Sequence, residues 1–96
     1  KLRFDLMAEE NGEYLEAAQK GDVVEVADAL GDILYILCGT IIEHGMQDVI
    51  DEVFEEIHRS NLSKLDENGN PIYREDGKVI KGPNYFPPNL KQFFEK

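Results

Sequence analysis

The sequence has 96 residues, enough for one small domain that buries only a modest share of its surface, so size alone leads us to expect a partner subunit. Twenty acidic against 10 basic residues give a net charge of −10, which argues against a nucleic acid polymer or an anionic membrane surface as partner, since both need a basic face. The longest nearly apolar run, Ile33 to Ile42, is about half the ~20 residues of a membrane span, and the single Cys38 permits no internal disulfide, so a reducing, cytoplasmic setting is expected.

Lys1 to Lys20 has helical composition and periodicity, and the chain is in that pattern from a first residue that is not methionine, so a preceding segment is expected. Gly21 reads as the stop of this helix and Asp22 as the N-cap of the next. From Val23 to about His44 apolar residues fall on nearly every face, the mark of a helix covered by several neighbours. Gly45 breaks the pattern, and a third helix is expected from about Gln47 to Lys64, with Val49, Ile50, Val53, Phe54, Ile57 and Leu62 on its inner side. Turn formers follow Leu65, and Ile72 to Ile80 predicts a short β-hairpin turning near Asp76-Gly77. Lys81 to Pro88 should be an extended tail, with Leu90, Phe93 and Phe94 docking a final turn or short helix.

The expected fold is therefore all-α, an antiparallel helical bundle with a short C-terminal hairpin and tail. Residues 1–65 form its helical core and residues 66–96 the hairpin and tail of the same domain. Two short partners from one small chain cannot cover an all-round apolar helix, so a homodimer or homotetramer completing a four-helix bundle is expected. Charge is divided along the chain: residues 1–58 carry 15 acidic and 3 basic side chains, residues 59–96 carry 5 and 7.

At ~100° per residue the first helix has an apolar stripe of Leu2, Leu6, Met7, Tyr14 and Ala17, and Glu10 and Glu13 fall inside it. Glu9 and Glu16 lie at its rim, where solvated glutamates are ordinary. An unpaired carboxylate on a buried face is costly without a cation or donor. The second helix repeats the anomaly, with Glu25, Asp28 and Asp32 within ~60° of one another and Tyr35 and Gly39 continuing their stripe. Folding the helices back about Gly21 puts Glu13, eight residues before it, level with Asp28, seven after; Glu10 and Asp32 are each eleven away. Apart from Arg3, neither helix offers a cation beside these groups. All-oxygen ligation without histidine or cysteine selects a hard cation, Mg²⁺ or in its place Mn²⁺. The bland alternative is that some of these carboxylates face solvent or cap helix ends.

At these residues the chain resembles the MazG-like, all-α nucleoside triphosphate pyrophosphohydrolases, which include phosphoribosyl-ATP pyrophosphohydrolase. The family's Glu-Glu-x-x-Glu and Glu-x-x-Asp stand here as Glu9-Glu10-Asn11-Gly12-Glu13 and Glu25-Val26-Ala27-Asp28. Asp28 to Tyr35, His58 to Lys64 and Lys81 to Pro88 are similar to further family stretches. The acidic motifs are spaced at the short end of the family's range, and the helix that commonly precedes the first motif is not in this sequence. The resemblance implies hydrolysis of a nucleoside triphosphate to monophosphate and pyrophosphate. It implies that Glu10, Glu13, Glu25 and Asp28 hold Mg²⁺ with support from Asp32, and that Glu9 or a metal-activated water provides the nucleophile. In the tail Lys64, Arg74, Lys78 and Lys81 concentrate positive charge for a triphosphate, while Asn61 and Tyr85 offer an amide and a ring for base and sugar.

Two other classes compete. Glu55-Glu56-Ile57-His58 contains the Glu-x-x-His of carboxylate di-iron bundles, but the second motif such a site needs is missing, since Ile41 precedes His44 where a glutamate should stand. A non-catalytic acidic helical module binding a basic protein would be insensitive to chelators and would leave triphosphates intact.

Overall fold

The computed structural model describes residues 1–95 and is mostly helical, with α1 at Leu2–Lys20, α2 at Val23–Glu43 and α3 at Ile50–Leu62. Two short strands, β1 at Ile72–Tyr73 and β2 at Val79–Ile80, and a 3₁₀ turn at Lys91–Phe93 follow. The all-α expectation with a small hairpin is met. The chain divides into two compact units, Lys1–Gln47 and Asp48–Lys96. That boundary differs from one at residue 65, because α3 groups with the hairpin and tail.

The first unit is the α1–α2 hairpin. Gly21 sits in the left-handed region at φ +69°, and the chain closes α1 with Gly21 N–H donating to the Ala18 carbonyl at 3.1 Å and Asp22 N–H to that of Ala17 at 3.2 Å. Asp22 then opens α2, its Oδ1 accepting from Glu25 N–H at 3.2 Å. The same device ends α2: Gly45 is again at φ +69°, with its N–H on the Ile42 carbonyl and Met46 N–H on that of Ile41. Two-residue stop signals thus fix the C-terminal ends of both helices. Ala17 and Ala29, 6% and 3% exposed, are the buried apolar side chains among the described residues. Their small size lets the helices approach. Most of α2's apolar surface stays uncovered within the chain, with Leu34, Tyr35 and Ile42 all exposed.

In the second unit α3 starts three residues later than expected, a turn over residues 47–49 following the Gly45 stop. Its inner side also differs. Phe54, Ile57 and Leu62 are exposed, whereas Glu56 and Ser60 are buried. The tail explains this. Ser60 Oγ donates to the Phe86 carbonyl at 2.7 Å, Phe86 N–H donates to Ser63 Oγ at 3.1 Å, and Asn89 N–H donates to Glu56 Oε2 at 2.8 Å. Arg59 donates to both oxygens of Glu56, at 2.9 and 3.2 Å, and lies 4.4 Å from the centre of the Phe86 ring. With its charge matched, Glu56 can be buried under the tail, and its carboxyl is held below the usual range first by the Arg59 hydrogen bond and then by Asn89. The hairpin pairs Ile72 with Ile80 and Tyr73 with Val79, and its turn spans Arg74 to Lys78 as expected.

Candidate functional site

The heights expected from counting residues about Gly21 are met in the first unit. Arg3 and Gly39, each 18 residues from Gly21, meet: a Cβ on Gly39 would lie 2.9 Å from Arg3 Nη1. Glu10 and Asp32, each eleven residues away, are close enough for the Asp32 charge to act on Glu10.

Glu10 is the most perturbed of these groups. It is half-buried on the α2 side of α1, and its Oε2 is shut off from solvent with no hydrogen-bond partner. Desolvation first, then a hydrogen bond with Glu13 and the charges of Glu13, Asp32 and Glu9, push its carboxyl up to about 7. Below about pH 7 this cluster therefore holds on to a proton in place of a counter-charge. A second set of acidic residues continues toward the Gly21 turn, where a groove of about 480 Å³ is lined by Glu13, Glu16, Glu25 and Asp28 together with Ala17 and Ala29. Glu13 belongs to both sets and joins them.

The carboxylates are thus gathered, but not equally. Glu10 and Asp32 are half-buried, whereas Glu9, Glu13, Glu25 and Asp28 are exposed. As the side chains stand, no three carboxylate, imidazole or thiolate groups among the described residues converge closely enough to hold an ion. The backbone fixes a common groove, and the exposed glutamates retain the rotamer freedom to close on it. Two observations fit a hard divalent cation there. The donors are all oxygens, and beside the groove a buried oxygen of Glu10, next to Glu13, lacks the partner that a buried polar atom requires. Glu16 and Asp22 line the same groove without having been singled out for it; Glu16 is tied to Lys20 at 3.0 Å, and the Asp22 side chain caps α2.

In the second unit Lys64, Lys78 and Lys81 come together with Arg74 around a cleft of about 350 Å³. Arg74 is occupied by Asp76, at 3.0 and 2.6 Å. The Lys81 ammonium lies 4.9 Å from the centre of the Tyr85 ring, so Tyr85 abuts the cationic group, while Asn61 does not line the cleft. The cleft draws on residues far apart in sequence because the hairpin and tail return to the end of α3. Gly82 makes that return possible: a Cβ there would lie 2.5 Å from the Lys64 and Leu65 carbonyl oxygens. His58 stacks on Phe54 with ring centres 6.5 Å apart, the ordinary packing of a helix-end histidine.

The phosphoribosyl-ATP pyrophosphohydrolase family model matches residues 1–61, which hold both acidic motifs. The chain belongs to that family. It is also similar to a solved structure of a candidate NTP pyrophosphohydrolase from Exiguobacterium sp. 255-15, with a TM-score of 0.58 and 31% identity, over 91% of this chain and 58% of that one. An uncharacterised protein of Acanthamoeba polyphaga mimivirus is 33% identical over 81 residues, 84% of this chain. The chain spans 29% of the length of that curated relative. The family match ends at Asn61, so Glu9, Glu10, Glu13, Glu25, Asp28 and Asp32 fall inside it and Lys64, Lys78, Lys81 and Tyr85 beyond it. No helix among the described residues is long and apolar enough to cross a membrane.

Proposed function

We propose that the chain hydrolyses a nucleoside triphosphate, a deoxynucleotide or a non-standard nucleotide, to its monophosphate and pyrophosphate with Mg²⁺ as cofactor and Mn²⁺ as a working substitute. The observation that carries this is the gathering of carboxylates from α1 and α2, where Glu13, Glu25 and Asp28 line one groove and Glu10, beside Glu13, has a buried oxygen without a partner. Family membership and the likeness to the Exiguobacterium protein supply the reaction class.

Glu10, Glu13, Glu25, Asp28 and Asp32 would hold the cation. Bound there, it would neutralise the polyphosphate and lower the pKa of a water. Glu10 would bind the cation as the carboxylate, so below about pH 7 binding would release its proton. Glu9, exposed at the rim beside Glu10, accepts the proton of the attacking water. In the second unit Lys64, Lys78 and Lys81 are assigned to phosphate oxygens, and Asn61 and Tyr85 to sugar and base.

Incubation with a panel of ribo- and deoxynucleotides and Mg²⁺, with products separated by ion exchange, tests this. Monophosphate with pyrophosphate is the expected pair. Diphosphate with orthophosphate, or intact triphosphate under every condition, would remove the proposal.

A further inference from the structure

Arg3 stands apart from every other basic residue of the first unit. That unit carries ten acidic and three basic side chains. Lys1 pairs with Asp5 at 3.3 Å and Lys20 with Glu16 at 3.0 Å, whereas Arg3 forms no ion pair or side-chain hydrogen bond among the described residues. It is half-buried, and its guanidinium lies against α2 at Gly39, the position where a side chain would collide with it. A half-buried guanidinium left without an anion, in a unit so rich in carboxylates, has its donors free for a ligand.

Its position along the helix pair is defined. Arg3 is seven residues before Glu10 on α1, and Gly39 is seven after Asp32 on α2. Seven residues are two turns, so Arg3 falls within ~20° of Glu10 around the helix and ~10 Å along it. That span is comparable to the length of an extended phosphate chain. Acidic residues line the groove from the turn to Glu13 and Asp28, Glu10 and Asp32 continue them along the two helices, and Arg3 is the cation beyond.

We infer that Arg3, seated on Gly39, is an anion-holding residue that grips the terminal phosphates of a polyphosphate whose other end lies at the Glu10–Asp32 carboxylates. The ligand class, a pyrophosphate or polyphosphate chain, follows from the planar fork of donors and from its distance to the cation-binding oxygens. This rests on the pyrophosphohydrolase reading for the substrate, but not for its test.

Calorimetric titration of inorganic pyrophosphate in the presence of Mg²⁺ reads the contact without turnover. Arg3→Gln should weaken pyrophosphate binding about tenfold or more, Arg3→Lys should recover part of the loss, and Gly39→Ala, which displaces the guanidinium, should weaken binding without altering charge. KM for a hydrolysed triphosphate should rise in the same order. Wild-type affinity in both Arg3→Gln and Gly39→Ala overturns the inference, as does pyrophosphate failing to bind the wild-type protein. So does a result in which Arg3→Gln only shifts the assembly state by light scattering while affinity is kept, since Arg3 would then serve a neighbouring chain. If the wild-type protein binds pyrophosphate through Arg3 yet cleaves no triphosphate, the hydrolase proposal falls and the Arg3 site stands. Should Arg3→Gln not fold, Arg3→Lys and Gly39→Ala carry the test.

Discussion

Glu10 makes the strongest link between local structure and function, because a single side chain records first its own burial and then the hydrogen bond and charges of its acidic neighbours. Its carboxyl is raised from the model-peptide value to about 7, so between about pH 4.5 and 7 the folded chain holds a proton that the unfolded chain has released. The folded state binds more protons there, so stability falls as pH rises through that window. Thermal melts in a chelator should show the melting temperature declining from pH 5 to 7.5; Glu10→Gln should flatten that decline, and Mg²⁺ should reverse it in the wild-type protein only. Glu13→Gln and Asp28→Asn should each lower turnover by a factor of at least about 100, in the range of lost charge stabilisation at a phosphoryl centre, with far-ultraviolet circular dichroism unchanged. Activity kept in both would remove them from the site. These carboxylates were legible in the sequence because a charge on an apolar stripe is anomalous and Gly21 fixes the register. Exposure was less legible: Glu13, Glu25 and Asp28 proved open to solvent, because among the described residues of the first unit only Ala17 and Ala29 are buried where the helices meet. Arg3 stood out as a lone base, but nothing in the pattern said that it would rest on Gly39.

At the scale of elements, the C-terminal ends of α1 and α2 follow from two-residue signals, and each is closed by the bonds its glycine makes possible. The role of α3 was not readable in the same way. Its periodicity points to Phe54, Ile57 and Leu62 as the covered face, yet the covered residues are Glu56 and Ser60, whose partners Phe86 and Asn89 lie 26 and 33 residues on. Polar residues that bury themselves through distant backbone groups leave no periodic trace. The packing gives two testable costs. Gly82→Ala forces a methyl against the Lys64 and Leu65 carbonyls and should destabilise the chain by ~1–3 kcal/mol. Ser60→Ala removes the shorter of two hydroxyl donors to the Phe86 carbonyl, leaving Ser63 Oγ at 3.4 Å, and should cost ~1 kcal/mol. Both are read from urea unfolding, and a change under ~0.3 kcal/mol in each would show that the tail does not depend on these contacts.

For the molecule as a whole, the helical hairpin leaves two apolar faces uncovered within the chain. One face of α2 carries Leu34, Tyr35, Cys38 and Ile42, and another, shared with α1, carries Phe4, Met7, Ile33 and Leu37. The two are ~150° apart around α2. Two separate faces fit the proposed homodimer or homotetramer, since exposing both in water is unfavourable. Light scattering at micromolar concentration should give two or four copies, and Leu34→Glu should lower that number; a wild-type monomer would exclude the arrangement. The claim on which the rest depends is that α1 and α2 share one cation. Sub-stoichiometric Mn²⁺ added to the isotopically labelled protein, followed by paramagnetic broadening, tests it most directly. Signals of Glu10, Glu13, Asp28 and Asp32 should broaden together and recover together in Glu13→Gln. Broadening spread evenly over all acidic residues, Asp51 and Glu52 of α3 included, would contradict it.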